Sequence, residues 1–176
     1  MKRSRLAIIL VATVALVAGS VLFRSNELHA QSHQDLLSIG QPAPSWKLLD
    51  LDGKEVSSEQ FAGKVVVVDF WATWCTPCIK EIPGYIELQK KYGPEGVAII
   101  GISVDRKAPS AVKQFVEQQG MNYTVVVADE EVVNAFGGIE GIPTTFIIDR
   151  TGKFVHKKVG AMAHADYENL LKRFLK

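Results

Sequence analysis

The sequence predicts an α/β fold: a central mixed β-sheet with helices on both faces and a β-hairpin ahead of it. Three observations carry this. Val65-Val66-Val67-Val68 and Val97-Ala98-Ile99-Ile100-Gly101-Ile102-Ser103-Val104 are apolar runs rich in β-branched residues, as strands buried on both faces are. Helical patterns fall between the strand patterns, and such alternation requires a partly parallel sheet with helical crossovers. Of 176 residues, 47% are hydrophobic, which is enough for one globular domain.

The elements run in order from residue 39. Gly40-Gln41-Pro42-Ala43-Pro44 is an irregular lead-in. Residues 45–51 carry alternating apolar side chains, Asp52-Gly53 marks a tight turn, and Lys54-Glu55-Val56 returns, which predicts a short hairpin. Residues 65–68 form the first central strand. Over residues 78–92, Ile79, Ile82, Ile86, Leu88 and Tyr92 recur at helical spacing; Pro83 should kink this helix and Gly93-Pro94 stops it. Residues 97–104 form the second central strand. Residues 110–119 are helical, with Val112, Phe115 and Val116 on one face and Gly120 closing the helix. A short strand over 123–127 and a short helix over 130–136 follow. A strand over 144–148, a turn at Asp149-Arg150-Thr151-Gly152 and a partner strand over 154–159 make a second hairpin. Residues 166–175 are the closing helix, with Leu170, Leu171, Phe174 and Leu175 apolar. No internal repeat or low-complexity segment interrupts this order.

The first 38 residues are a separate object. A basic flank (1–5) precedes 18 uncharged residues (6–23), long enough to span a bilayer core of about 30 Å. Basic residues ahead of the run place the N-terminus in the cytoplasm and the domain outside. Residues 24–38 are polar and mixed, a stalk. The alternative is a cleaved signal peptide, but Leu28-His29-Ala30 is a poor A-x-A site and the apolar run exceeds the usual length of about 7–15. Both readings deliver the domain, 39–176, to the same extracytoplasmic side. Four of the 20 basic residues (Lys2, Arg3, Arg5, Arg24) and one of the 19 acidic ones (Glu27) lie in the first thirty positions. That leaves 16 basic against 18 acidic residues, and a weakly acidic domain has no electrostatic footprint for nucleic acid.

The chain has two cysteines, Cys75 and Cys78, in Phe70-Trp71-Ala72-Thr73-Trp74-Cys75-Thr76-Pro77-Cys78. As a staple the pair closes a tiny loop and removes little entropy from the unfolded chain. As a zinc site it lacks partners: structural zinc takes four ligands, and of the histidines His29, His33, His156 and His164 the first two lie in the stalk. As a reactive couple it is well placed. Cys75 follows a strand and opens a helix, whose free N–H groups and partial positive charge favour thiolate. Cysteines in such C-x-x-C motifs have pKa values of roughly 3.5–7.5 instead of about 8.5. Cys78, one turn further in, should be more buried and less acidic. Cys75 then attacks a disulfide and Cys78 resolves the mixed disulfide. Thr76-Pro77 sets the turn between them.

Over residues 39–176 the sequence resembles the thioredoxin superfamily, and within it the membrane-anchored TlpA/ResA-type thiol-disulfide oxidoreductases of bacteria. The residues that carry the likeness run from Val65 through Cys78, then Pro83, then Gly141-Ile142-Pro143-Thr144-Thr145-Phe146-Ile147-Ile148-Asp149, then Val159-Gly160-Ala161. The lead-in, the Asp52-Gly53-Lys54 turn and a longer α/β insertion over 104–130 point to this subgroup. The resemblance implies a thioredoxin-like fold with an N-terminal β-hairpin and a central α/β insertion, a redox-active Cys75–Cys78 disulfide, and no cofactor or metal. It implies that Pro143 is cis beside the cysteines and that Ile142 pairs its backbone with the substrate strand. Trp74, Thr76 and Pro77 complete the expected substrate surface. Asp69, six residues before Cys75, falls where thioredoxins keep a buried acid that serves proton transfer; its alternative is a buried acid with a structural hydrogen bond. Many TlpA/ResA-like proteins lack that acid, and the lysine that accompanies it in thioredoxin is replaced by Gly101. Glu81 matches an acid that ResA-like proteins place near the cysteines, a second candidate base; its alternative is a solvated helix residue.

The function implied is a membrane-anchored extracytoplasmic reductase. It would draw electrons from a membrane thiol donor of the CcdA/DsbD type and act on protein thiol/disulfide substrates such as apocytochrome c cysteines. An oxidant of the DsbA kind has a larger helical insertion. The alternative, a Sco-like copper metallochaperone, uses C-x-x-x-C with a distant histidine, whereas the spacing here is C-x-x-C; a peroxiredoxin needs a P-x-x-x-T-x-x-C loop, which residues 68–75 do not supply. His156 and His164 read as ordinary strand or surface residues.

Overall fold

The computed structural model describes residues 39–175; the expected basic flank (1–5), apolar segment (6–23) and stalk (24–38) lie outside the described residues. Asp50 closes the first turn by accepting the N–H groups of Asp52 and Lys54, each at 2.9 Å, while Gly53 supplies a φ of +79°. That turn joins β1 (Lys47–Leu49) to β2 (Glu55–Ser57) as the expected antiparallel hairpin, with Leu48 opposite Val56.

The main sheet contains β3 (Val65–Trp71), β4 (Val97–Ser103), β5 (Thr124–Val127), β6 (Thr144–Ile148) and β7 (Phe154–Val159), in the lateral order β5-β4-β3-β6-β7. Strands β3, β4 and β5 are parallel; β6 runs antiparallel to β3, and β7 to β6. Every residue of β3, β4 and β6 is buried, as their apolar runs require. Strand β3 continues three residues past the valine run. Asp69 sits in its interior, paired with Gly101 of β4 and Thr145 of β6.

Four helices cover the sheet: α1 (Thr76–Tyr92), α2 (Pro109–Gln119), α3 (Glu130–Ala135) and α4 (His164–Phe174). The crossovers β3-α1-β4 and β4-α2-β5 step in the same direction, so right-handedness puts α1 and α2 on one face. Helix α4 joins them there. Tyr85, Leu88, Tyr167 and Leu171 pack on Val65, Val67 and Ile147, while Ile82 and Val112 pack on Trp71. The other face carries the β1–β2 hairpin and α3, over a core that includes Phe70, Phe136, Phe146 and Phe154. Helix α1 is continuous across Pro83, whose missing N–H leaves the Ile79 carbonyl without its helical donor. Gly120 ends α2 in the left-handed conformation, φ +65°. Among the described residues no helix is long and apolar enough to cross a membrane.

Candidate active site

The site forms where β3 ends and α1 begins, at the carboxyl edge of the parallel strands. Two contacts fix this corner. The Val104 N–H bonds the Trp71 carbonyl at 2.9 Å, extending the β3–β4 ladder one residue past the end of β4. Buried Asp105 then accepts from the Thr73 N–H (2.8 Å), the Thr73 hydroxyl (2.7 Å) and the Ser103 hydroxyl (3.0 Å). A carboxylate taking three hydrogen bonds is a rigid clamp. It holds the loop that delivers Cys75.

Cys75 is the N-cap of α1, and its sulfur accepts the Cys78 N–H at 3.3 Å. Pro77 lies in the first helical turn, where an N–H has no helical acceptor and its loss costs nothing. Cys75 and Cys78 form a disulfide, with their Cα atoms 5.3 Å apart. The sequence expectation that Cys78 is deeper has the right direction but a small size: Cys75 is 4% exposed and Cys78 1%. Thr76 and Pro77 are exposed between them. Trp74, expected on the substrate surface, is 62% exposed.

The Ile142–Pro143 peptide is cis. Pro143 is buried and its carbonyl accepts the Gly160 N–H at 2.8 Å. Half-buried Ile142 packs against the apolar cluster that contains both cysteines. Residues far apart in sequence, 75–78 and 142–143, therefore share one surface. Exposed Val159 lies beside them, opposite Thr144 in the β6–β7 register.

The two elements that meet at the disulfide each carry a buried carboxyl, Asp69 on β3 and Glu81 on α1. Asp69 is 4% exposed and accepts a bond from the Thr145 hydroxyl at 3.2 Å. Burial, then the Glu81 charge, pushes its pKa up to about 8, against the Thr145 bond. Glu81 is also buried, not solvated. Its Oε1 accepts the Met162 N–H at 2.8 Å, tying α1 to the loop before α4, and its Oε2 has no hydrogen-bond partner. Burial raises its pKa too, against the Met162 bond. The place expected for a lysine is filled. A Cβ on Gly101 would meet Trp71 Nε1 at 2.8 Å, so the indole occupies that space. Among the described residues no group of three or more His, Cys, Asp or Glu is placed to hold a metal ion. His156 lies on β7, and His164 opens α4 with its Nε2 3.6 Å from Glu87.

Several participants were not anticipated from sequence. Asp105, Thr73 and Ser103 form the clamp. Thr145, Tyr85 and Tyr167 form a buried hydroxyl cluster against Asp69. The available signals were slight: a polar pair, Thr144-Thr145, opening an apolar run, and tyrosines on otherwise aliphatic helix faces.

A disulfide capping a helix on this mixed sheet, with a cis-proline loop against it, makes this a thioredoxin-fold thiol-disulfide oxidoreductase. The sequence matches the Redoxin family over residues 38–171. It is 34% identical over 173 residues to the thiol-disulfide oxidoreductase ResA of Bacillus thuringiensis (strain Al Hakam), covering 98% of each chain. It is 36% identical over 143 residues to ResA of Bacillus subtilis (strain 168), covering 79% of each. Among solved structures, a thioredoxin-family thiol:disulfide interchange protein from Chlorobium tepidum TLS superposes with a TM-score of 0.71 at 40% identity, covering 77% of this chain and 96% of that one. A putative thiol:disulfide interchange protein DsbE from Chlorobium tepidum gives 0.73 at 31%, covering 79% and 99%. The chain belongs to the redoxin family of the thioredoxin superfamily and is a ResA-like thiol-disulfide oxidoreductase.

Proposed function

We propose that the protein is an extracytoplasmic reductase, anchored by residues 6–23 and fed with electrons by a membrane thiol donor of the CcdA/DsbD type. Its substrates are protein disulfides, apocytochrome c cysteines among them. The observation that carries the chemistry is the Cys75 sulfur at the N-cap, receiving the Cys78 N–H where a thiolate is stabilised. In support of the anchor, the match to the Bacillus thuringiensis relative covers 98% of both chains and so extends through most of the apolar N-terminal segment.

In the reduced protein the Cys75 thiolate attacks one sulfur of a substrate disulfide. The S–S bond breaks, one substrate thiolate leaves and takes a proton, and a Cys75–substrate disulfide remains. Cys78 gives its proton to Asp69, and the resulting thiolate attacks Cys75 Sγ, releasing the second substrate thiol. The Cys75–Cys78 disulfide then accepts two electrons from the donor. Asp69 suits this role because a carboxyl that titrates near 8 is matched to a thiol proton. The neighbouring Glu81 raises that affinity and is the second candidate acceptor. The substrate chain lies over Trp74, Thr76 and Pro77 and along Ile142-Pro143, where exposed Trp74 offers an unspent apolar face.

Affinity capture from membranes with Cys78→Ala tests the assignment. Substrates should be held as mixed disulfides through Cys75 and be released by dithiol. Adducts absent from Cys78→Ala, or persisting in Cys75→Ala, would overturn the roles. Direction is tested by glutathione titration: a potential nearer thioredoxin's roughly −270 mV supports a reductase, and one above about −150 mV overturns it.

A further inference from the structure

We infer that Thr145 is a positioning residue: its hydroxyl, supplied by those of Tyr85 and Tyr167, holds Oδ1 of Asp69 and leaves Oδ2 as the oxygen that takes the thiol proton. This rests on the reading of Asp69 as the proton acceptor.

Thr145 Oγ1 lies 3.2 Å from Asp69 Oδ1, 3.2 Å from the Tyr85 hydroxyl and 2.8 Å from the Tyr167 hydroxyl. A hydroxyl has one proton to donate and two lone pairs; a carboxylate has none to donate. With Asp69 ionised, one arrangement satisfies all three contacts. Thr145 donates to Asp69 and accepts from both tyrosines. The tyrosines hold their protons firmly, since burial lifts both hydroxyls well above their ordinary range. The three hydrogen bonds therefore point the same way, toward Oδ1. A proton on Oδ1 would draw charge from the oxygen that accepts the Thr145 bond and weaken that bond. Oδ2 carries no such obstacle.

The other groups around Asp69 are one acid and three tyrosines. Glu81 and Tyr85 face it from α1, Tyr167 from α4 and Tyr123 from the segment before β5, while Gly101 opposite it on β4 has no side chain. Glu81 raises the affinity of Asp69 for a proton, and the Thr145 hydroxyl lowers it. Thr145 is also directly opposite Asp69 in the β3–β6 register, two residues after Pro143. One side chain thus joins the acid to the strand that carries the proline loop. Its neighbour Thr144 is spent elsewhere, donating to the Gly141 carbonyl at 2.6 Å.

The test is the pH profile of peptide-disulfide reduction by the full-length protein. Thr145→Val, close to isosteric, should move the Asp69 inflection upward by about one pH unit, the effect of losing one hydrogen bond to a carboxylate. Thr145→Ser should restore it. Tyr85→Phe and Tyr167→Phe should each shift it upward by less, and they decide the matter if Thr145→Val fails to fold. Asp69→Asn should abolish the inflection. If it does, yet neither Thr145→Val nor the tyrosine variants move the wild-type midpoint, the positioning role is overturned while Asp69 stands. If Asp69→Asn keeps the inflection, both are overturned.

Discussion

Asp69→Asn should make the protein more stable and less active, and the size of the gain is set by how far burial displaces this carboxyl. The folded protein releases the Asp69 proton near pH 8, the unfolded chain near 3.8. Between those values the folded state binds more protons, so the stability contributed by the protonated acid is full below pH 3.8 and is lost as pH rises toward 8. The slope is about 1.4 kcal/mol per pH unit, so by pH 7 the ionisable acid costs about 4 kcal/mol. That is large against a total of about 5–15 kcal/mol for a domain. Asparagine keeps an oxygen to accept the Thr145 bond and cannot ionise. Thermal unfolding with the disulfide intact should show Asp69→Asn melting higher than wild type by on the order of 10 °C at pH 7. The two curves should converge below about pH 4, where both side chains are neutral. Disulfide reduction at neutral pH should slow in the same variant. Stability curves that stay parallel from pH 4 to pH 8 would refute the reasoning, because they would mean that Asp69 titrates in its ordinary range.

Asp105→Ala removes the acceptor for three hydrogen bonds and should lower stability by about 3 kcal/mol, read as a urea midpoint at constant slope. A loss below about 1 kcal/mol would mean that water replaces the clamp. Gly101→Ala places a methyl 2.8 Å from Trp71 Nε1 and 3.3 Å from its Cδ1, between strands with no room to separate. It should cost about 1–3 kcal/mol and shift the fluorescence of Trp71. An unchanged melting temperature would show that the indole can move aside.

The two acids define what is particular about this site. A lone buried carboxyl is usually balanced by a cation, and Gly101 removes the one that thioredoxin supplies. Two acids then bear on each other in a medium where neither ionises freely. The unpartnered Glu81 Oε2 and the raised pKa of Asp69 are two consequences of that arrangement. On the proposed mechanism, the stability given up at neutral pH lies at the acid that takes up the thiol proton.

The sequence alone determined the order of strands and helices, because continuous β-branched runs and helical periodicity are local signals. It also placed Cys75 at a helix N-terminus and excluded a second metal-ligating cysteine pair. Its resemblance to known oxidoreductases extended the site to Pro143. Element ends were less legible: β3 runs to Trp71 because its pairing with β4 and β6 overrides the local polarity of Asp69. Tertiary structure alone decided the fate of each polar group. Glu81 reads equally as a candidate base or a solvated helix residue until the Met162 N–H and burial exclude the second. Asp105 reads as a loop acid until Thr73, 32 residues earlier, supplies its donors. Thr145, Tyr85 and Tyr167 read as strand and helix filler until three elements converge on one hydroxyl. Burial and hydrogen bonding depend on which distant segment covers a side chain, and that is fixed only when the sheet closes and the helices pack upon it.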